Sequence, residues 1–61
     1  MNEIVRILME RDGMSEADAT EQLKAAQEDL YELLEADDID EAYEICGAWF
    51  ALEPDYIHYL I

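Results

Sequence analysis

Asp37, Asp38, Asp40 and Glu41 place four carboxylates within five residues, a density of oxygen ligands that would attract a hard divalent cation. An EF-hand loop, however, spaces its ligands at alternating positions, with Gly at the sixth and a bidentate Glu at the twelfth. Counted from Asp37 the sixth residue is Ala42, so that pattern fails. The run reads instead as a loop and helix start enriched in acids, where negative charge complements the helix dipole. No metal and no cofactor is expected. Nucleophiles are equally scarce: the chain has one Ser, one Thr, one Cys and one His. Ser15 is placed to cap a helix. Cys46 falls on an apolar helical face with no cation nearby in sequence to favour its thiolate. His58 reads as a surface or boundary residue. Carboxylates are so numerous that no acid/base pair stands out. The residues do not point to an enzyme.

What remains is charge. Arg6, Arg11 and Lys24 are the only Lys or Arg residues, and residues 25–61 carry eleven Asp and Glu, most of a formal net charge of −14. Self-repulsion of this size opposes a compact state. On a helix, Glu21, Glu28, Glu32 and Glu35 fall close to one outward stripe, flanked by Asp18 and Asp29. Asp37, Asp40, Glu41 and Glu44 continue the field along the next helix. Charges three or four residues apart lie about 5–6 Å apart along a helix axis, against roughly 3.4 Å between phosphates on one DNA strand. One stripe is sparser than a strand, but two adjacent rows on packed antiparallel helices would approach that density. A surface shaped for solubility alone usually mixes both signs. The candidate partner-binding residues are therefore Glu21, Glu28, Asp29, Glu32, Glu35, Asp37, Asp40, Glu41 and Glu44. The partner they would suit is a basic protein surface. Direct contact with nucleic acid is not expected, because the sign is repulsive.

The elements that would position these residues are helices. The periodicity predicts an all-α, compact bundle of three to four short helices in a single domain, residues 1–61. Met1, Ile4, Val5, Ile7 and Leu8 make the apolar side of a first helix, with Arg11 near its end and Gly13 at a left-handed stop. Ser15 opens the second helix, Asp18 approximates the reciprocal residue of a capping box, and Met14 can staple the entry. Ala19, Leu23, Ala26, Leu30 and Leu33 form one apolar stripe, widened by Tyr31 and Leu34. Asp38 is the expected cap of a third helix, with Glu41 at the reciprocal position. Ile39, Ala42, Tyr43, Cys46, Trp49 and Phe50 give that helix an apolar face, broadened by Ile45, Ala48 and Leu52. Pro54 suits the first turn of a short last helix, Pro54 to Ile61, expected to turn Ile57, Leu60 and Ile61 inward.

Composition sets further bounds. Sixty-one residues lie near the lower limit for a fold without disulfides or metal, yet 52% of them are hydrophobic, too many for a disordered chain. A single Cys cannot form an internal disulfide, so a reducing cytoplasm fits. The run from Ile4 to Met9 is too short to span a bilayer and lacks the flanks of a signal peptide. Anionic lipid would repel the chain. An acyl carrier is excluded, because Met14-Ser15-Glu16 stands where such proteins present an Asp-Ser-Leu-like triplet.

Arg11-Asp12-Gly13-Met14-Ser15, the Ala/Glu/Leu-rich helix after it, Asp38-Ile39-Asp40-Glu41-Ala42 and Leu52-Glu53-Pro54-Asp55-Tyr56-Ile57 together cover most of the chain. In these stretches the sequence resembles small acidic helical proteins encoded by bacteriophages and prophages, some of which are anti-CRISPR inhibitors or other DNA mimics. The resemblance implies a non-enzymatic inhibitor acting in the bacterial cytoplasm. Its target would be a basic, nucleic-acid-binding surface of a host defence or DNA-processing protein, a CRISPR effector among them. A rival expectation comes from Tyr31, Tyr43, Trp49, Phe50, Tyr56 and Tyr59, a large aromatic allotment for so small a core. Aromatic residues are enriched at interfaces. A structural or adaptor bundle, or a homodimer, would associate through them, with acidity serving solubility.

Overall fold

The computed structural model describes residues 2–61. Helix α1 spans Glu3–Asp12, α2 spans Glu16–Glu35 and α3 spans Ile39–Phe50, followed by a 3₁₀ segment, Pro54–Tyr59. The all-α expectation holds, with no strand among the described residues. Met1, assigned above to the first apolar side, lies outside them. Among the described residues no helix is long and apolar enough to cross a membrane. Helix α2, about 30 Å long by its rise per residue, runs nearly the 33 Å length of the molecule. It packs on both α1 and α3, and the 3₁₀ segment packs back on α3 and α1.

Local chemistry accounts for the boundaries. Asn2 and Ser15 both have extended backbone, with ψ of 141° and 159°, which aims their side chains at the first-turn amides. Asn2 Oδ1 accepts from the Ile4 amide at 2.8 Å, and Ser15 Oγ from the Asp18 amide at 3.1 Å. Each satisfies a donor that the helix itself leaves orphaned. Gly13 closes α1 at φ 68°, and the next amide, Met14, donates to the Leu8 carbonyl at 3.3 Å. Ser15→Ala is expected to destabilise the fold by about 1 kcal/mol. A urea titration with an unchanged midpoint would remove Ser15 from this role.

Two expected caps take another form. Asp18 returns no bond to Ser15 among the described residues, its side chain being one methylene shorter than the Glu of a capping box. Asp38 stands at the N-cap of α3 yet makes no side-chain cap bond, so Glu41 has no reciprocal role. The cause lies one residue earlier. Asp37 is left-handed, at φ 61°. Its amide donates to the Leu34 carbonyl at 3.1 Å and the Asp38 amide to the Leu33 carbonyl at 2.9 Å, the two bonds of a Schellman closure. This leaves Asp38 at ψ 69° rather than extended, and its carboxylate is not presented to the α3 amides. Asp tolerates the left-handed region better than most residues, which explains a Gly-free turn here.

The core is a single cluster. Ile4, Val5 and Leu8 from α1, Ala19, Leu23, Ala26 and Leu30 from α2, and Ala42, Ile45, Cys46 and Phe50 from α3 are all buried, with Leu60. Ala19 and Ala26 are wholly buried, small side chains that let neighbouring helices approach α2. No polar or charged residue is buried among the described residues. Several expected core positions are not there. Tyr31, Leu34, Ile39, Tyr43 and Ile61 are exposed large hydrophobics, Ala48 is exposed, and Ile57 is only half-buried. The last helix is shorter and tighter than expected, ending at Tyr59, and carries Ile61 past the packed layer.

Candidate binding surface

The outward side of α2 carries the acidic stripe. At 100° per residue Glu28 lies opposite Ala19, and Glu21, Glu32 and Glu35 fall within a quarter turn of it. All four are exposed. From Glu21 to Glu35 the row runs about 21 Å along the axis. Lys24 lies on the same side, and it makes no ion pair among the described residues.

Helix α3 does not supply a second full row. Asp40, Glu41 and Glu44 are exposed, but beyond them the outer positions are Gly47, Ala48 and Ala51, exposed and uncharged. The density instead gathers at one end. Glu32, Glu35, Asp37, Asp38, Asp40, Glu41 and Glu44 place seven exposed carboxylates between residues 32 and 44, around the α2–α3 turn. The surface is a single row that ends in an acidic cap, not a pair of parallel rows.

Asp29 departs from the row. It is half-buried, and its Oδ2 accepts from Trp49 Nε1 at 3.0 Å. Gln22 Nε2 donates to the Trp49 carbonyl at 3.3 Å, so two α2 side chains clasp one α3 residue. Asp29 therefore holds α2 to α3, and eight of the nine candidate residues remain exposed. Asp29→Ala is expected to cost about 1 kcal/mol of stability, the loss of one charged hydrogen bond at a partly wet site. An equal loss in Trp49→Phe, and no further loss in the double variant, would identify this bond as the source.

Cations are concentrated on α1. Arg6 pairs with Glu3 and, at 3.4 Å, with Glu10. Arg11 grips Asp12 through Nε and Nη2 at 2.9 and 3.0 Å, which holds the Asp12 carboxyl below the usual carboxylate range. These exposed pairs contribute little stability, but they occupy the only two arginines. No ion pair involves an acid of α2 or α3 among the described residues.

The residues with nucleophilic or metal-binding chemistry are dispersed. Cys46 is wholly buried, and burial pushes its thiol pKa up, away from the reactive thiolate. Ser15 is engaged as a cap. His58 is exposed beside Tyr59, ring centroids 4.2 Å apart, in a shallow open depression bordered by Glu3, Glu53, Asp55 and Tyr56. No group of three or more His, Cys, Asp or Glu is arranged to hold a metal ion among the described residues.

A second surface feature escaped the periodicity. A recess of about 200 Å³ lies between the α2–α3 hairpin and the end of the chain, with the buried Leu30 and Ala42 beneath and Leu34, Ile39, Tyr43 and Ile61 around it. Those four are among the five exposed large hydrophobics of the described residues. The fifth, Tyr31, directs its hydroxyl to the Leu60 carbonyl at 3.4 Å. The available signal was the width of the α3 apolar arc. From Ile45 through Ala42 to Tyr43 it covers nearly half the helix circumference, more than one packed neighbour can bury. Of the six aromatics only Tyr31 and Tyr43 are exposed; Phe50 is buried, and Trp49, Tyr56 and Tyr59 are half-buried.

Comparison of the chain with protein-family models, curated proteins and solved structures finds no match.

Proposed function

We propose that this protein is a non-enzymatic inhibitor whose α2 row and acidic cap occupy a basic nucleic-acid-binding surface of another protein, carboxylates standing in for phosphates. The observation that carries the reading is the set of exposed acids on α2 and α3 that no cation pairs among the described residues. Such a field steers a basic partner into contact and disfavours acidic ones. The resemblance to phage-encoded inhibitors makes a host defence or DNA-processing protein the target class, CRISPR effectors among them. Affinity capture from bacterial lysate, with and without competing duplex DNA, tests it. Basic DNA-binding proteins should be recovered only when competitor is absent. The purified protein should itself leave duplex DNA unshifted in a gel at physiological salt, since non-specific affinity is almost wholly electrostatic attraction. Micromolar binding there would contradict the reading of the charge.

The exposed apolar cluster favours a second reading, an adaptor bundle that associates through this face while acidity keeps it soluble. It predicts capture of a partner that DNA does not displace.

A further inference from the structure

We infer that the recess at the α2–α3 hairpin is an anchor site for a single apolar side chain, Phe, Leu or Met, presented by a partner segment with Lys or Arg on either side of it. The inference rests on the proposed basic partner and adds where that partner would be gripped.

Size and lining set the class of group. An apolar cavity of about 150 Å³ accommodates benzene, so the recess of about 200 Å³ takes one aromatic, branched aliphatic or thioether side chain. Its lining is aliphatic apart from the Tyr43 ring, with no charged residue. Buried at this site, such a group would cover apolar surface that the fold leaves in water.

The rim sets what must flank the group. Leu34 and Ile39 are joined by Glu35-Ala36-Asp37-Asp38, and Asp40 and Glu44 adjoin Ile39 and Tyr43. Five exposed carboxylates thus stand next in sequence to residues of the recess or within the turn that joins them. No Lys or Arg among the described residues offsets them: Lys24 is ten residues before Leu34, about 15 Å along α2, and both arginines are paired within α1. A neutral apolar segment would gain nothing from this rim, and an acidic one would be repelled. A segment that brings its own cations gains at both the recess and the rim.

A second copy fits poorly. A stable interface buries about 800 Å² per partner, roughly a fifth of this chain's 4015 Å². That is far more than the recess, so a two-fold contact would press one acidic cap against another, each chain carrying −14.

The test uses three labelled peptides followed by fluorescence anisotropy: a Lys/Arg peptide with one central Phe, the same peptide with Ser for Phe, and the Phe peptide with Gln for every Lys and Arg. The Phe peptide should bind about tenfold or more tightly than the Ser peptide. That advantage should vanish in the Leu34→Gln/Ile39→Gln double variant. Both positions are exposed, and circular dichroism checks that the helices persist. Equal binding of the Phe and Ser peptides, no binding of either, or an advantage that survives the double variant overturns the anchor site. Binding of the Gln-flanked peptide as tight as that of the cationic one overturns the basic flanks. The Ser peptide reports the acidic surface separately: salt-sensitive binding without a Phe advantage leaves the proposed function standing while the anchor fails. Sedimentation showing a parent dimer that the double variant abolishes would assign the recess to a second copy instead.

Discussion

Phe50→Ala is expected to leave the chain largely unfolded in water. Phe50 is 2% exposed and among the largest fully packed side chains of the core. It ends α3 immediately before Ala51, where the backbone turns left-handed at φ 55° and leads into the 3₁₀ segment. Truncating a buried Phe to Ala typically costs about 3–5 kcal/mol, as lost transfer energy plus the cavity left behind. A domain of this size rarely has more than about 3–5 kcal/mol in total, and self-repulsion lowers that. The two quantities match, so the folded population should collapse rather than decline. Far-ultraviolet circular dichroism of the variant without denaturant decides it. A cooperative transition near the parent's midpoint would mean that the core is far more plastic than its burial implies. Tyr43→Ala is the control, since this ring is 55% exposed and its loss should change stability by no more than about 0.5 kcal/mol.

Reversing Glu28, Glu32 and Glu35 to Lys should preserve the fold and weaken binding to a basic partner by about a hundredfold. The three changes move the net charge by six, from −14 to −8. Lys is as good a helix former as Glu, and a cation at position 35 suits the C-terminal end of α2 better than Glu35 does. Three exposed pairs at about 0.5 kcal/mol each, turned from attraction to repulsion, amount to about 3 kcal/mol, or two decades in affinity. Much of that should appear as slower association, with a shallower dependence on salt. A partner isolated by capture and measured at two salt concentrations supplies the readout. If the reversed protein binds as tightly as the parent, phosphate mimicry by this row should be abandoned. The adaptor reading then gains if Tyr43→Ala alone abolishes the contact. Trp49→Ala would not serve as that control, because Trp49 is clasped by Asp29 and Gln22 and its removal loosens the fold itself.

The readable features were those whose causes lie within a few residues. Ser15 caps an amide three positions away, Gly13 stops a helix on its own backbone freedom, and Pro54 opens the segment it begins. The Ala19 to Leu33 stripe was also legible, since α2 is packed on two sides and its periodicity reports burial directly. Asp38 was misread because its geometry is imposed by the left-handed residue before it. Asn2 went unread although the amide it caps, Ile4, lies only two residues away; its second bond, to the Tyr59 carbonyl, and the Asp29 bond to Trp49 were hidden because those partners lie far off in sequence. The recess was hidden for a different reason. Periodicity marks a side of α3 as apolar, but it does not say whether the chain has another element to lay over Ile39 and Tyr43. The acidic row on α2 was visible; the shortness of its continuation on α3 follows from Gly47, Ala48 and Ala51, of which only Ala48 was read, as part of the apolar arc rather than as a gap in charge.

Three side chains from outside the 3₁₀ segment reach its final carbonyls: Asn2 donates to Tyr59 at 2.8 Å, and Gln27 and Tyr31 donate to Leu60 at 3.1 and 3.4 Å. The Asn2 bond closes a separation of 57 residues. Contacts of such span form only after the chain between them is ordered, because the loop entropy must first be overcome. Its docking on α1 is therefore expected late in folding, after the α1–α2 and α2–α3 hairpins, whereas its packing on α3 joins neighbours in sequence. In the native state the same hierarchy runs in reverse. The long-range bonds of residues 54–61 are accordingly expected to open before the core does, and amide exchange in this segment at free energies below that of global unfolding would show it.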